Sequence, residues 1–144
     1  MALEDDHPNL RLFPYIIESP STRQYNCYAW AAGKNSIRWE PDKWWLYYWP
    51  PEAPRSFSLS AFITAYGTLG YTPTDDASVE QGFEKIALYA TSDLKVKHAA
   101  LQKSNGRWTS KLGDEQDIEH HLDGLIDEHY GAVVKILKRP RTSQ

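Results

Sequence analysis

One thiol and one imidazole carry the first chemical signal in this chain: Cys27, its single cysteine, and His98, one of its five histidines. A free thiol has a pKa near ~8.5, so only about 3% is thiolate at pH 7. Cys27 opens a short predicted helix over Tyr25 to Gly33, with Asn26 as the N-cap and Gly33 as the stop. Backbone N–H groups and the helix dipole at such a start favour the anion, and a neighbouring imidazolium favours it further. His98 begins a predicted strand, and the small Ala99 and Ala100 leave room beside its ring. A histidine facing a cysteine there makes a thiolate–imidazolium pair that can attack a carbonyl. The alternative is a cysteine that simply fills the core. A third group would orient the imidazole. Ser110 on the following strand is the first candidate, although a neutral hydroxyl does little for an imidazolium; Gln102 and His120 stay open for the role. Backbone N–H groups at the helix start, with the Asn26 side chain, are the candidate oxyanion donors.

Other clusters carry weaker signals. Residues 39–55 hold four Trp, two Tyr and four Pro. The aromatics could wall a substrate groove, with Trp30, Trp45 and Trp108 as lining candidates. Proline this dense points instead to a rigid cover over the core. His120, His121 and His129 lie near Asp117, Asp123, Asp127 and Glu128, but the spacing is not His-Glu-x-x-His, so a solvated acidic helix is expected and no metal. Asn35-Ser36-Ile37 is not a glycosylation acceptor, and neither a phosphate-binding glycine loop nor a dinucleotide fingerprint is present. The residues imply no cofactor.

The elements that must position Cys27 and His98 follow from periodicity. Residues 1–20 read as an extended arm with one apolar knot from Leu12 to Ile17. Ser58 caps a second helix with Leu59, Phe62, Ile63, Tyr66 and Leu69 on one face, ending by Gly70. Lys85–Ala90, Val96–Gln102 and Arg107–Leu112 read as strands, the last two joined through Asn105-Gly106, a strong hairpin signal. Residues 115–128 read as a polar helix with Ile118, Leu122, Leu125 and Ile126 inward. Gly131–Leu137 is a final strand, followed by a basic tail over 139–144. Helices come first and a mostly antiparallel sheet follows, an α+β class. At 144 residues, 41% hydrophobic and 13% aromatic, the chain suits one ordered domain over 21–138. Its net charge of −3 argues against a nucleic-acid binder. No apolar run approaches the ~18 residues of a membrane span, and the acidic start (Glu4, Asp5, Asp6) is unlike a secretory signal. A cytoplasmic protein without a membrane partner is expected.

Asn26-Cys27-Tyr28-Ala29-Trp30-Ala31 resembles the nucleophile segment of CHAP peptidases. His98-Ala99-Ala100-Leu101 through Asn105-Gly106-Arg107 resembles the histidine hairpin of the NlpC type. The NlpC type usually has Asp before the cysteine, Ser-Gly after it and His, Asn or Gln as the third residue, where this chain has Asn26, Tyr28-Ala29 and Ser110. Residues 20–138 also resemble an uncharacterised family of short bacterial proteins with an Asn-Cys-x-Ala-Trp-Ala start and a Trp-Thr-Ser-Lys-Leu-Gly strand, here Trp108 to Gly113. The peptidase resemblance implies a papain-like single domain, with Cys27 as nucleophile and His98 as base. It implies a cysteine-dependent amide hydrolase, either a peptidase or a peptidoglycan amidase, acting on a peptide or peptidoglycan-like substrate. It also allows delivery by a secretion system. Two alternatives stand beside it: a non-catalytic binding or immunity-type protein that keeps the fold, with a protein partner, and a thiol acyltransferase or deamidase.

Overall fold

The computed structural model describes residues 2–19, 24–34, 37–112 and 116–141. Gly113, the Asn35-Ser36 pair, residue 115 of the expected polar helix and residues 142–144 of the expected tail lie outside them. The N-terminal segment forms a short helix α1 (Ala2–Asp6), a 3-10 turn (Pro8–Arg11) and strand β1 (Ile16–Ser19). It is therefore an extended arm only in its last part. Helix α2 (Cys27–Ala31) and helix α3 (Leu59–Gly67) follow. Strands β2 (Thr72–Thr74), β3 (Phe83–Ala90), β4 (Val96–Gln102), β5 (Trp108–Lys111), β6 (Asp117–His120) and β7 (Ala132–Pro140) complete the fold. All seven strands join one sheet in the order β1-β6-β5-β4-β3-β7-β2, each neighbouring pair antiparallel.

Both faces of the sheet are covered. In a strand successive side chains point to opposite faces, and the two cores separate accordingly. Ile86, Leu88, Val96, Ala99 and Leu137 pack with α2, α3 and the buried Trp39 and Trp49. Ala87, Tyr89, Ala100, Trp108, Ile118 and Ile136 pack with Leu3, Leu10 and Leu125 from the other side. This double burial explains why Ile86–Ala90 reads as a short run without alternating polar residues.

The two helix caps form as expected. The Asn26 side chain accepts the Ala29 N–H at 3.1 Å, and the Ser58 hydroxyl accepts the Ala61 N–H at 3.3 Å. The hairpin closes at Asn105-Gly106, with Gly106 at φ 87° and the Lys103 N–H donating to the Arg107 carbonyl at 2.7 Å.

Three expectations need correction. The polar helix over 115–128 is instead β6 followed by a 3-10 turn at Leu122–Leu125. Asp117, Glu119 and His120 find partners distant in the chain in Tyr25, Lys103 and Ser110, so a segment that reads as solvated is buried, with Asp117 Oδ1 left without a partner. The segment 39–55 is only partly a cover: Trp39 and Trp49 are buried, whereas Trp44, Trp45 and Leu46 are 72, 74 and 71% exposed. β7 runs to Pro140, so Arg139 belongs to the sheet and pairs with Glu84 at 2.6 Å rather than to a solvated tail.

Candidate functional site

Helix α2 lies across β4 and β5. It is held there by the Trp30 indole N–H donating to Thr109 Oγ1 at 3.0 Å and by the Tyr28 hydroxyl donating to the Val96 carbonyl at 3.3 Å. The β4–β5 ladder comprises only Leu101↔Thr109 and Gln102↔Trp108. Beyond that point the His98 ring on β4 reaches across to Ser110 on β5. On the other face, Cys27 shares a core with Ala99 of β4, and the backbone of Ala99, Tyr28 and Cys27 favours its thiolate.

His98 is fully buried and heads a chain of polar contacts. Its Nε2 lies 2.9 Å from Ser110 Oγ, Ser110 Oγ lies 2.6 Å from His120 Nε2, and His120 Nδ1 lies 2.8 Å from the His121 carbonyl oxygen. The Tyr130 ring stacks on the His98 imidazole with centroids 4.1 Å apart and planes 8° from parallel, and Tyr89 meets it edge-on at 5.4 Å. The His98 Nδ1 is buried and has no hydrogen-bond partner.

Burial dominates the electrostatics. It pushes the Cys27 thiol up to about 12 despite the backbone N–H groups that oppose it. It pushes the His98 imidazole well below 6.5, with the neighbouring His120 and His7 acting in the same direction. It takes His120 down to about 4 against the favourable His121 carbonyl. Burial first, then negative charge at Cys27 and Asp127, keep the Tyr130 hydroxyl protonated. At rest both members of the pair are neutral.

The expected thiolate–imidazolium contact is thus not made: neither ring nitrogen of His98 bonds the sulfur. Adjacent residues on β4 point to opposite faces, and Ala99, not His98, shares the core of Cys27. Ser110 and His120, offered as rivals for the third role, are both used, in series. Gln102 stands apart; its Nε2 donates to the Ala77 carbonyl at 2.9 Å and its Oε1 has no partner. Asn26 is committed to structure, accepting from Ala29 and Trp39 and donating Nδ2 to the Trp39 carbonyl at 2.6 Å. Trp30, Trp45 and Trp108 do not line one groove. Trp30 sits on the α2 face stacked against Tyr25, Trp108 is buried in the opposite core, and Trp45 projects from its loop under the Arg55 guanidinium. Among the described residues no cluster of His, Cys, Asp and Glu is arranged to hold a metal.

Sequence reasoning missed Tyr130, His7 and Asp127. His7 Nδ1 lies 2.7 Å from Asp127 Oδ2, and the His7 ring packs at 4.7 Å from Tyr130, tying the N-terminal turn over the imidazole. The local signal was Tyr130-Gly131. Gly131 has φ 78°, and a Cβ there would overlap the Ala90 carbonyl, so only glycine lets the turn press Tyr130 onto His98.

Fold and site together define an α+β domain built on one seven-stranded antiparallel sheet, with a cysteine helix across two of its strands and a histidine relay beneath. The chain belongs to the family described as a domain of unknown function, DUF7689, which matches residues 16–138. No curated protein and no solved structure matches it. Among the described residues no helix is long and apolar enough to cross a membrane.

Proposed function

We propose that this chain is a cysteine-dependent amide hydrolase of papain-like type, a peptidase or peptidoglycan amidase, with Cys27 as nucleophile and His98 as base. The observation that carries the reading is the bare Nδ1 of His98. A buried nitrogen without a partner costs roughly 1–3 kcal/mol, and a histidine serving only to fill the core has no need of it. Cys27 packs in one core with Ala99, the residue after His98, and Nε2 is held by Ser110, which supports Nδ1 as the working nitrogen. In this reading substrate entry reorganises β4 where its ladder with β5 ends, so that the imidazole, which faces away from Cys27 in the resting fold, turns toward it and Nδ1 takes the Cys27 proton as sulfur attacks the amide carbon. The tetrahedral intermediate expels the amine, which receives that proton from His98, and water then cleaves the thioester to release the acid. Transfer to another acceptor, or deamidation, would share the acyl-enzyme and differ only in the group that arrives or leaves.

A second reading, a non-catalytic binding or immunity-type protein, is favoured by one observation: burial takes the thiol up to about 12. Turnover separates the two. The purified chain is incubated with muropeptides and with a peptide library, amine release is followed, and intact mass is used to seek an acyl adduct on Cys27. The hydrolase reading expects both signals, and expects Cys27→Ala and His98→Ala to abolish them without loss of fold. No turnover and no adduct, with a thiol that iodoacetamide reaches only in the unfolded chain, would favour the binding protein.

A further inference from the structure

We infer that His120 is a positioning residue, setting which nitrogen of His98 carries the proton through a one-way hydrogen-bond chain that starts at the His121 carbonyl. The direction follows from counting hydrogens. A carbonyl oxygen can only accept, so His120 Nδ1, 2.8 Å from the His121 oxygen, bears the hydrogen. His120 is neutral at pH 7, so its single ring hydrogen is spent there and its Nε2 is an acceptor. The Ser110 hydroxyl, 2.6 Å away, must then donate to His120. With its one hydrogen committed, Ser110 can only accept from His98, whose Nε2 at 2.9 Å is therefore N–H. His98 is also neutral, so its Nδ1 carries the lone pair, and this is the nitrogen without a partner. Ser110 alone could not do this, because a free hydroxyl donates or accepts equally well. His120 removes the choice.

This assignment deepens the hydrolase reading, since a lone pair on Nδ1 is what a base needs, but it does not depend on turnover. The test is the tautomer of His98, read from the ¹⁵N shifts of its two ring nitrogens at pH 7 in the full chain. Wild type is expected to show a protonated Nε2 and an unprotonated Nδ1. In His120→Phe the Ser110 hydroxyl loses its acceptor and is free to donate to His98 Nε2 or to accept from it, so the single tautomer gives way to averaged shifts. His120→Gln, whose side-chain oxygen can accept, restores the wild-type pattern. Ser110→Ala, should His120→Phe fail to fold, leaves both His98 nitrogens unheld and gives averaged shifts. A wild-type His98 protonated on Nδ1, or a tautomer that neither His120→Phe nor Ser110→Ala moves, overturns the inference. If the chain has turnover, His120→Phe lowers kcat on the order of 10²-fold with KM little changed. Absence of turnover in wild type sinks the hydrolase reading and leaves the tautomer result standing.

Discussion

Acidifying the protein from pH 7.5 to pH 5 removes stability through its buried histidines, and the His120 share can be worked out. Burial takes the His120 pKa from 6.5 to about 4. Between those values the unfolded chain binds a proton that the folded chain refuses, so stability present above pH 6.5 is lost as pH falls toward 4. At 1.36 kcal/mol per pKa unit the whole effect is about 3 kcal/mol, of which about 2 kcal/mol has gone by pH 5. Several carboxylates, among them Asp76, Glu80, Asp93 and Glu119, have lowered pKa values, and their contribution is lost only as pH falls below their ordinary range of 3.8 to 4.5. Glu40 is shifted upward by burial and opposes the trend, but it is common to wild type and variant and cancels in the difference. The assay is urea denaturation of wild type and His120→Gln at pH 7.5 and at pH 5. Wild type should lose about 2 kcal/mol more than the variant between the two. Equal losses would refute the claim that His120 is buried and neutral, and the relay's direction would fall with it.

Three further perturbations probe the frame around the site. Leu94 is half-exposed with φ 60°, a left-handed conformation costing roughly 1–2 kcal/mol for an L side chain; Leu94→Gly should raise thermal stability, by up to about 1 kcal/mol after glycine's entropy is subtracted. Gly131→Ala forces a Cβ into the Ala90 carbonyl at positive φ. It should cost more than about 2 kcal/mol and, in chains that still fold, shift the His98 ring protons in NMR as the Tyr130 stack loosens. Asn26→Ala removes the α2 cap and strands the buried backbone of Trp39. A loss of about 2 kcal/mol in chemical denaturation is expected, with no loss checking the assignment of Asn26 to structure.

What sequence could reveal was local. Caps at Asn26 and Ser58, the hairpin at Asn105-Gly106 and strand β4 all follow from interactions within a few residues, and each forms as periodicity and turn chemistry predict. β6 was illegible because Asp-Ile-Glu-His carries a polar pattern whose satisfaction comes from Tyr25, Lys103 and Ser110, distant in the chain. The same reason hid the relay's order: Ser110 and His120 look like competitors until β5 and β6 pair Trp108 with His120 and Ser110 with Ile118. Tyr130 and His7 reach the imidazole only through tertiary packing, and no spacing rule would couple them to His98.

Double coverage of the sheet explains why this cluster is neutral and why it is arranged as it is. A histidine covered on one side only could keep its charge in water; His98, enclosed between Tyr89 and Tyr130, cannot, so its hydrogens must be placed by neighbours rather than by solvent. Three residues in series then satisfy every polar atom along the chain from the His121 carbonyl to His98 Nε2 and leave one atom out. A packing role would be served as well by an apolar residue of similar volume, at no desolvation cost. An arrangement that spends a serine and a second histidine to bare a single basic nitrogen, next in sequence to Ala99 in the core of Cys27, is the feature on which the proposed proton transfer rests.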